Sequence, residues 1–443
     1  MIRKFQIWGL LFCALTSYQA IALDFLQVLK LAETSDPDFL AAQFNFQAVT
    51  ESRPQSLAAL RPQIDLNIFT TRTQLETSNS TNVLVPDGSI NFNTDGYRLS
   101  LTQSIYNHDL YLLLEQTDIN IAAGKAEIDA ARQQLILRVA EAYYNVLAAQ
   151  DNVKFAQSEK KAIGQQLEQS QQRFDVGLIA ITDVKEAQAR YDISVAQEIS
   201  ASNQLAINFE TLHSIIGQPA KHLNTLSDHI PLLSPAPADI NQWEKISTEN
   251  NLALKVASYA FEASQKEVGI NRSQHYPSLD LSVQRNFSSP DGGNFFVRDT
   301  TNTAITLNLK IPVYSGGITS SKTRQAIAEM EKQRALKNKA QRNAIKQSRD
   351  SYLGVTTSIA QVKAFKQALA STEKALEATR AGFEVGTRTA VDVLAAVREL
   401  YRSEKDYAQS RYDYILNLLR LKQAAGILST EDVIQINQWL KRN

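Results

Sequence analysis

Two short stretches in each half of the chain alternate apolar and polar side chains residue by residue. In the first half Ile64, Leu66 and Ile68 oppose Asp65 and Asn67, and Tyr97, Leu99 and Leu101 oppose Arg98, Ser100 and Thr102. In the second half Leu279, Leu281 and Val283 oppose Asp280, Ser282 and Gln284, while Ile305, Leu307, Leu309 and Ile311 oppose Thr306, Asn308 and Lys310. A period of two places all the apolar side chains of a strand on one face. That is the apolar-out, polar-in signature of a transmembrane barrel wall. A soluble half-buried sheet gives the same alternation. Four strands cannot close a barrel, since the smallest membrane barrels have about eight and lipid does not tolerate an open sheet edge. A membrane reading therefore requires strands shared between chains, and three chains supply about twelve, an even number within the known range.

The rest of the pattern is helical. From Val139 apolar positions step alternately by three and four: Val139, Ala142, Val146, Ala149, Val153, Ala156, Lys160, Ile163, Leu167, Ser170, Phe174, with Lys160 and Ser170 as polar breaks. A second seam runs Val393, Val397, Leu400, Glu404, Tyr407, Arg411, Tyr414, Leu418, Leu421, Ala425. Such spacing is a coiled-coil seam, and its alanines allow close approach. A simple two-stranded rod would satisfy the seams but leaves the alternating strands unexplained. Asn107 to Val176 contains no proline, so a helix there would be about 105 Å long. A compact domain of this size has a radius of gyration near 22 Å, and an elongated molecule is expected. The return stretch Thr182 to Ile216 predicts a helix of about 52 Å. The helical stretches Asp38 to Leu60 and Asn251 to Gln274 are placed to stack end to end on the return helices.

Repeats explain this layout. RFDVGLIAITDV from Arg173 recurs as GFEVGTRTAVDV from Gly382, RPQIDL from Arg61 as YPSLDL from Tyr276, and SIYN from Ser104 is echoed by PVYS. The chain reads as an internal duplication: residues 23–216 as a first repeat, 217–239 as a proline-bearing linker, 240–426 as a second repeat and 427–443 as a C-terminal segment.

Composition narrows the function. The 443 residues carry 46 Lys plus Arg against 46 Asp plus Glu, which gives no reason to expect nucleic acid as a partner. Only 16 Gly and 11 Pro are present, roughly half the usual shares, so elements should be long and few. That counts against a porin made wholly of hairpins. The single cysteine, Cys13, and five His at no recognised ligand spacing exclude structural zinc and thiol chemistry, and no cofactor or metal is expected. Residues 1–22 read as a signal peptide: Arg3 and Lys4, an apolar run from Phe5 to Leu15, then Ala20-Ile21-Ala22 as the cleavage site. The mature chain is expected to start at Leu23 without a cysteine. No later stretch is long and apolar enough for a transmembrane helix, so strands must meet any membrane.

The tip sequences RFDVGLIAITDVKEAQARYD and VGTRTAVDVLAAVRELY, with the closing SRYDYILNLLRLKQAAGILSTEDV, resemble the TolC-like outer-membrane efflux and secretion channels, over nearly the whole mature chain in order. The resemblance implies a homotrimer: a twelve-stranded β-barrel, four strands per chain, in outer-membrane lipid, continued by a periplasmic α-helical barrel with a coiled-coil tip. It implies a periplasmic adaptor (membrane fusion) protein as partner, and an inner-membrane pump of RND, ABC or MFS type. Val176, Gly177, Leu178 and Val385, Gly386, Thr387 would contact the adaptor. Thr182, Asp183, Phe383, Arg388 and Asp392 would form the gate, with Arg388 pairing Asp183 across helices or subunits and Asp392 ringing the constriction, where clustered carboxylates gain proton affinity. The local alternative is that Gly177 and Gly386 only end helices, that Thr389 and Asp392 form a capping box, and that Asp183 merely opens a helix. Two departures from the family stand out: Ala395 where a second aspartate is often found, and Phe383 where a tyrosine is usual.

An enzyme is the first rival. No nucleophile, base and orienting group recur at a diagnostic spacing, and GGITSSKT from Gly316 lacks the ending of a phosphate-binding loop. A periplasmic coiled-coil adaptor would lack the strands, and a diffusion porin would need more of them. Efflux of drugs and type I protein secretion stay equally open, including secretion alone. Tyr106 and Tyr314 are placed for an interfacial belt, and the loops Glu76 to Thr94 and Ser288 to Thr300 would face outside the cell as candidate receptor sites.

Overall fold

A computed structural model describes residues 22–80, 87–220, 222–292 and 298–441. The leader through Ile21 and the centres of the two outer loops lie outside the described residues. In order the elements are α1 (Phe25–Ser35), α2 (Pro37–Thr50), α3 (Ser52–Ala58), β1 (Gln63–Thr77), β2 (Gly88–Tyr106), α4 (His108–Asp175) and α5 (Ile181–Ile216). Then come α6 (Ile240–Asn250), α7 (Leu252–Ser273), β3 (Ser278–Pro290), β4 (Thr300–Lys310), α8 (Ile318–Glu384), α9 (Ala390–Ala424) and α10 (Thr430–Asn437). α4 has 68 residues and α8 has 67, about 100 Å of helix each. The helix expected over Asp38 to Leu60 is broken at Glu51. Pro54 has no N–H for the carbonyl of Thr50, the last residue of α2, so the ladder stops there. Among the described residues no helix is long and apolar enough to cross a membrane.

The chain divides into two compact units. One holds Ala41–Ala131 and Glu244–Ser348, and is organised by an antiparallel sheet in the order β1-β2-β3-β4. Its register lines up whole rows of like residues. Ile64 pairs Leu101, which pairs Val283, which pairs Ile305, so one face carries an unbroken apolar row across all four strands. On the other face Asn67, Arg98, Asn286 and Asn302 form a polar row, with Arg98 Nε donating to Asn286 Oδ1 at 3.0 Å. The apolar face is bare: Ile68 is 77% and Ile305 74% exposed. Both β1 and β4 are sheet edges. β2 begins at Gly88 and β3 runs to Pro290, so the two outer loops are shorter than their polar composition suggested. Tyr106 and Tyr314 are exposed.

The helices of this unit pack through small residues. A Cβ placed on Gly124 would lie 3.2 Å from Val49, and one on Gly269 would lie 3.1 Å from Leu112. These two glycines therefore let α4 approach α2 and α7 closely. Phe261 of α7 lies beneath the cations of Arg334 and Lys337 on α8, each 5.5 Å from its ring.

The other unit takes the chain up to Leu40, Arg132–Trp243 and Arg349 onward. Its core is aromatic. Phe25 lies 5.7 Å from Tyr143 and 5.8 Å from Tyr144, and Tyr144 lies 5.9 Å from Tyr412. Burial pushes the Tyr143, Tyr144 and Tyr412 hydroxyls well above the ordinary range, so they stay neutral. Tyr143 donates to the Asn224 carbonyl at 2.8 Å, and Tyr412 donates to Asp151 at 2.7 Å. The stretch 217–239 holds no helix or strand among its described residues, yet it is tied down. Leu223 bridges to Leu23, Leu226 bridges to Leu440, and both are buried. Ser35, ending α1, donates to the Ile216 carbonyl that ends α5 at 2.8 Å.

Asp36 is a further tie. Its side chain is 3% exposed, accepts Phe39 N–H at 2.8 Å as the cap of α2, and accepts Arg138 Nη2 at 2.7 Å. Arg138 also reaches Asp38. Replacing Arg138 by Leu should leave the buried carboxylate without its cation and cost about 3 kcal/mol. The check is the denaturation midpoint of detergent-solubilised protein, with Asp36→Asn in the same background recovering part of the loss.

Candidate functional site

Both long helices end in the same turn. After α4, Gly177 N–H donates to Phe174 O and Leu178 N–H to Arg173 O, both at 2.8 Å. After α8, Gly386 N–H donates to Phe383 O at 3.2 Å and Thr387 N–H to Gly382 O at 2.8 Å. This is the paired bond pattern of a Schellman cap. It needs a left-handed residue, and Gly177 and Gly386 supply it at φ +77° and +81°. A Cβ at either would meet nothing within 4 Å, so backbone conformation and not space selects glycine. The turns leave apolar side chains in solvent: Val176, Leu178 and Val385 are each 70–75% exposed.

The helices that leave these turns start differently. At α9, Thr389 Oγ1 accepts Asp392 N–H at 3.2 Å and Asp392 Oδ2 accepts Thr389 N–H at 2.9 Å, a complete capping box. Those bonds from the Thr389 N–H and hydroxyl, helped by the charge of Arg388, hold the Asp392 carboxyl below the usual range. At α5 the cap position is Ala180, which gives no side-chain bond, and Asp183 lies in the first turn. Thr182 is exposed and Asp183 half-buried. Among the described residues neither Arg388 nor Asp183 has an ion-pair partner in its own chain. Arg388 instead lays its stem over Gly382, where a Cβ would come within 2.8 Å of Arg388 Cγ.

Phe383 faces inward. It is 6% exposed and packs with Ile163, Ala187, Leu376, Ala390, Val393, Leu394 and Val397. Arg173 covers its ring, with the guanidinium carbon 4.0 Å from the centroid. The two tip sequences differ at one telling position: Arg173 in RFDVG stands where Gly382 stands in GFEVG. Arg173 closes over Phe383, and Gly382 makes room for Arg388. Sequence reasoning missed Arg173; the Arg-to-Gly exchange in otherwise matching tips was its only signal.

Above the turns, a cleft of about 630 Å³ opens between α4 and α8, lined by Gln166, Gln169, Arg173, Val176, Arg380 and Phe383 among others. The polar breaks of the seams are accommodated by pairing and burial. Lys160 donates to Glu198 at 2.7 Å, and Glu404 is pushed above its usual range by burial first and by Glu373 second. Among the described residues no group of His, Cys, Asp and Glu could hold a metal ion.

The Asp392 carboxylate strengthens the α9 cap while ionised, so the contribution is present near neutrality and is lost as pH falls through its lowered pKa. Thr389→Ala should cost about 1 kcal/mol of local stability. Amide exchange over Ala390–Leu394 should then be about fivefold faster near neutral pH, with the difference shrinking in acid.

Residues 28–218 and 245–427 match the family model described as outer membrane efflux protein. The outer membrane protein TolC of Vibrio cholerae is 36% identical over 419 residues, covering 94% of this chain and 93% of that one. The alkaline protease secretion protein AprF of Pseudomonas aeruginosa is 27% identical, covering 98% and 90%. The crystal structure of the outer membrane protein VceC from Vibrio cholerae superposes with a TM-score of 0.76 at 19% identity, covering 91% and 96%.

Proposed function

Because the chain belongs to the outer membrane efflux protein family, we propose that three copies join their sheets into one twelve-stranded barrel and continue it as a helical barrel into the periplasm. As a family member it is an outer-membrane channel for export. The observation that carries the trimeric reading is the sheet. It has an apolar row on one face, a polar row on the other, and two edge strands that lipid cannot leave unpaired. Residues 1–22 are removed as a signal peptide, and Leu23 then begins a first repeat that ends at Ile216. The second repeat spans 240–426.

The tip is the periplasmic gate. Exposed Val176, Leu178 and Val385, on turns fixed by Gly177 and Gly386 with Thr387 beside them, meet a periplasmic adaptor. The adaptor links the channel to an inner-membrane pump, which supplies the energy, so the chain itself carries no catalysis. Arg388 and Asp183, neither in an ion pair among the described residues of its own chain, pair between neighbouring copies, with Thr182 alongside. Phe383 supports the gate from beneath as a core residue. Three Asp392 side chains ring the axis, and their mutual repulsion raises the proton affinity that each cap alone lowers. An exposed ion pair contributes about 0.2–1 kcal/mol, so a threefold set is a latch that an adaptor can release.

The cargo is read from the relatives' names. AprF is named for protease secretion, which favours a protein-secretion outlet beside drug efflux; deleting the gene and scoring drug susceptibility alongside secreted protein separates the two. The gate has its own test. Arg388→Ser should raise single-channel conductance in planar bilayers, and an unchanged conductance would remove Arg388 from the latch.

A further inference from the structure

The β1–β2 ladder outruns the rest of the sheet. β2 last pairs with β3 at Thr94↔Pro290, while β1 and β2 stay paired from Thr71↔Thr94 up to Thr77↔Gly88. Six further residues of the ladder span about 20 Å, the first two flanked by Asp291 and by Gly292, where a Cβ would lie 3.0 Å from Phe92 Cβ. Along this projection the two faces exchange character. The face that carries Ile64, Leu66 and Ile68 continues as Thr70 opposite Asp95, Arg72 opposite Asn93, Gln74 opposite Asn91 and Glu76 opposite Ser89. The face that carries Asn67 and Arg98 continues as Phe69 against Gly96, Thr71 opposite Thr94, Thr73 opposite Phe92, Leu75 opposite Ile90 and Thr77 opposite Gly88. Phe69 lies flat on the sheet, since a Cβ on Gly96 would come within 2.7 Å of its ring.

The exchange has a direction. In the barrel reading, on which this inference rests, the lower apolar rows face lipid, so the lower polar rows face the lumen. The upper apolar side chains then face the barrel axis, and the upper polar ones face outward. The hairpin leans on a fixed base: Asp291 N–H donates to the Asn93 carbonyl at 2.9 Å, and Asn93 N–H donates to Asp291 Oδ1 at 2.6 Å. A hairpin bathed in water on both sides gains nothing from an apolar inner face, and Leu75 is still 39% exposed in the single chain. Twelve strands about 4.8 Å apart and tilted 35–45° make a ring roughly 24 Å across. The hairpin is therefore longer than the distance from wall to axis. The occupant of its inner face that lies within reach is the same face of the neighbouring copies, and β1 is already the edge strand at which copies join.

We propose that the three β1–β2 hairpins meet over the axis through Leu75, Ile90 and Phe92, forming an apolar outer closure that is separate from the periplasmic tip. Apolar contact is non-directional and reversible, so the hairpins part and re-close without cargo, the resting channel still conducts, and outgoing cargo holds them apart.

The sequence's one cysteine, Cys13, lies in the segment read as the signal peptide, so in the exported chain each added thiol is unique. The test uses the exported chain purified as a trimer in detergent. Oxidation of Leu75→Cys or Ile90→Cys should link roughly two of every three chains as dimers, the limit for three equivalent thiols about one axis. Gln74→Cys and Asn91→Cys, on the outward face, should remain single chains. In planar bilayers oxidation of the Ile90→Cys channel should abolish open-channel current, and a reductant should restore it. Absence of inner-face dimers in an intact trimer, outward-face dimers in equal yield, or current unaffected by cross-linking each overturns the closure. A protein that is not trimeric overturns it together with the assembly it rests on.

Discussion

A strand edge placed in hydrocarbon carries backbone N–H and C=O groups with nothing to bond, and each unsatisfied group costs several kcal/mol. The edges of β1 and β4 are two such rows, and the bare apolar face between them belongs in lipid. No rearrangement within one chain meets both demands, because four strands do not wrap far enough to reach each other. The need to close that sheet is what makes assembly part of the fold. The paired register is equally decisive. With side chains on a period of two, a slip of one residue between β2 and β3 would move Val283 to the polar side and break the apolar row.

Away from the sheet, stability comes from a different source. The aromatic cluster of Phe25, Tyr143, Tyr144 and Tyr412 gathers the chain's first described helix, one long helix and one return helix. Leu23, Leu223, Leu226 and Leu440 fasten the irregular stretches to the same core. The tip has its own smaller core, in which Phe383 packs with Ile163, Ala187 and Val393 from three other helices, next to two glycine turns and one capping box.

The asymmetry between the two tip turns is physical as well as sequential. Arg173 lays its charge on the face of an aromatic ring, whereas Arg388 lays its stem over a glycine. One turn is thereby internally satisfied. The other leaves its cation in no ion pair among the described residues, with its charge acting on the Asp392 carboxyl.

Strand and helix identities were legible in the sequence because each rests on a local period: two for β1 to β4, three and four for α4 and α9. The tip turns were legible because a left-handed residue after a helix is almost always glycine. Other features were not local. Composition marked residues 88–94 as loop, and only pairing with β1 made them strand. Phe383 entered the gate set only through the family resemblance, and its burial by three other helices was not visible in the sequence. The stretch 217–239 read as a linker, since its prolines are visible and its bridges to Leu23 and Leu440 are not. Sequence periodicity fixes which face of an element is apolar. What that face meets depends on residues far away in the chain, and that was decided only when the chain folded.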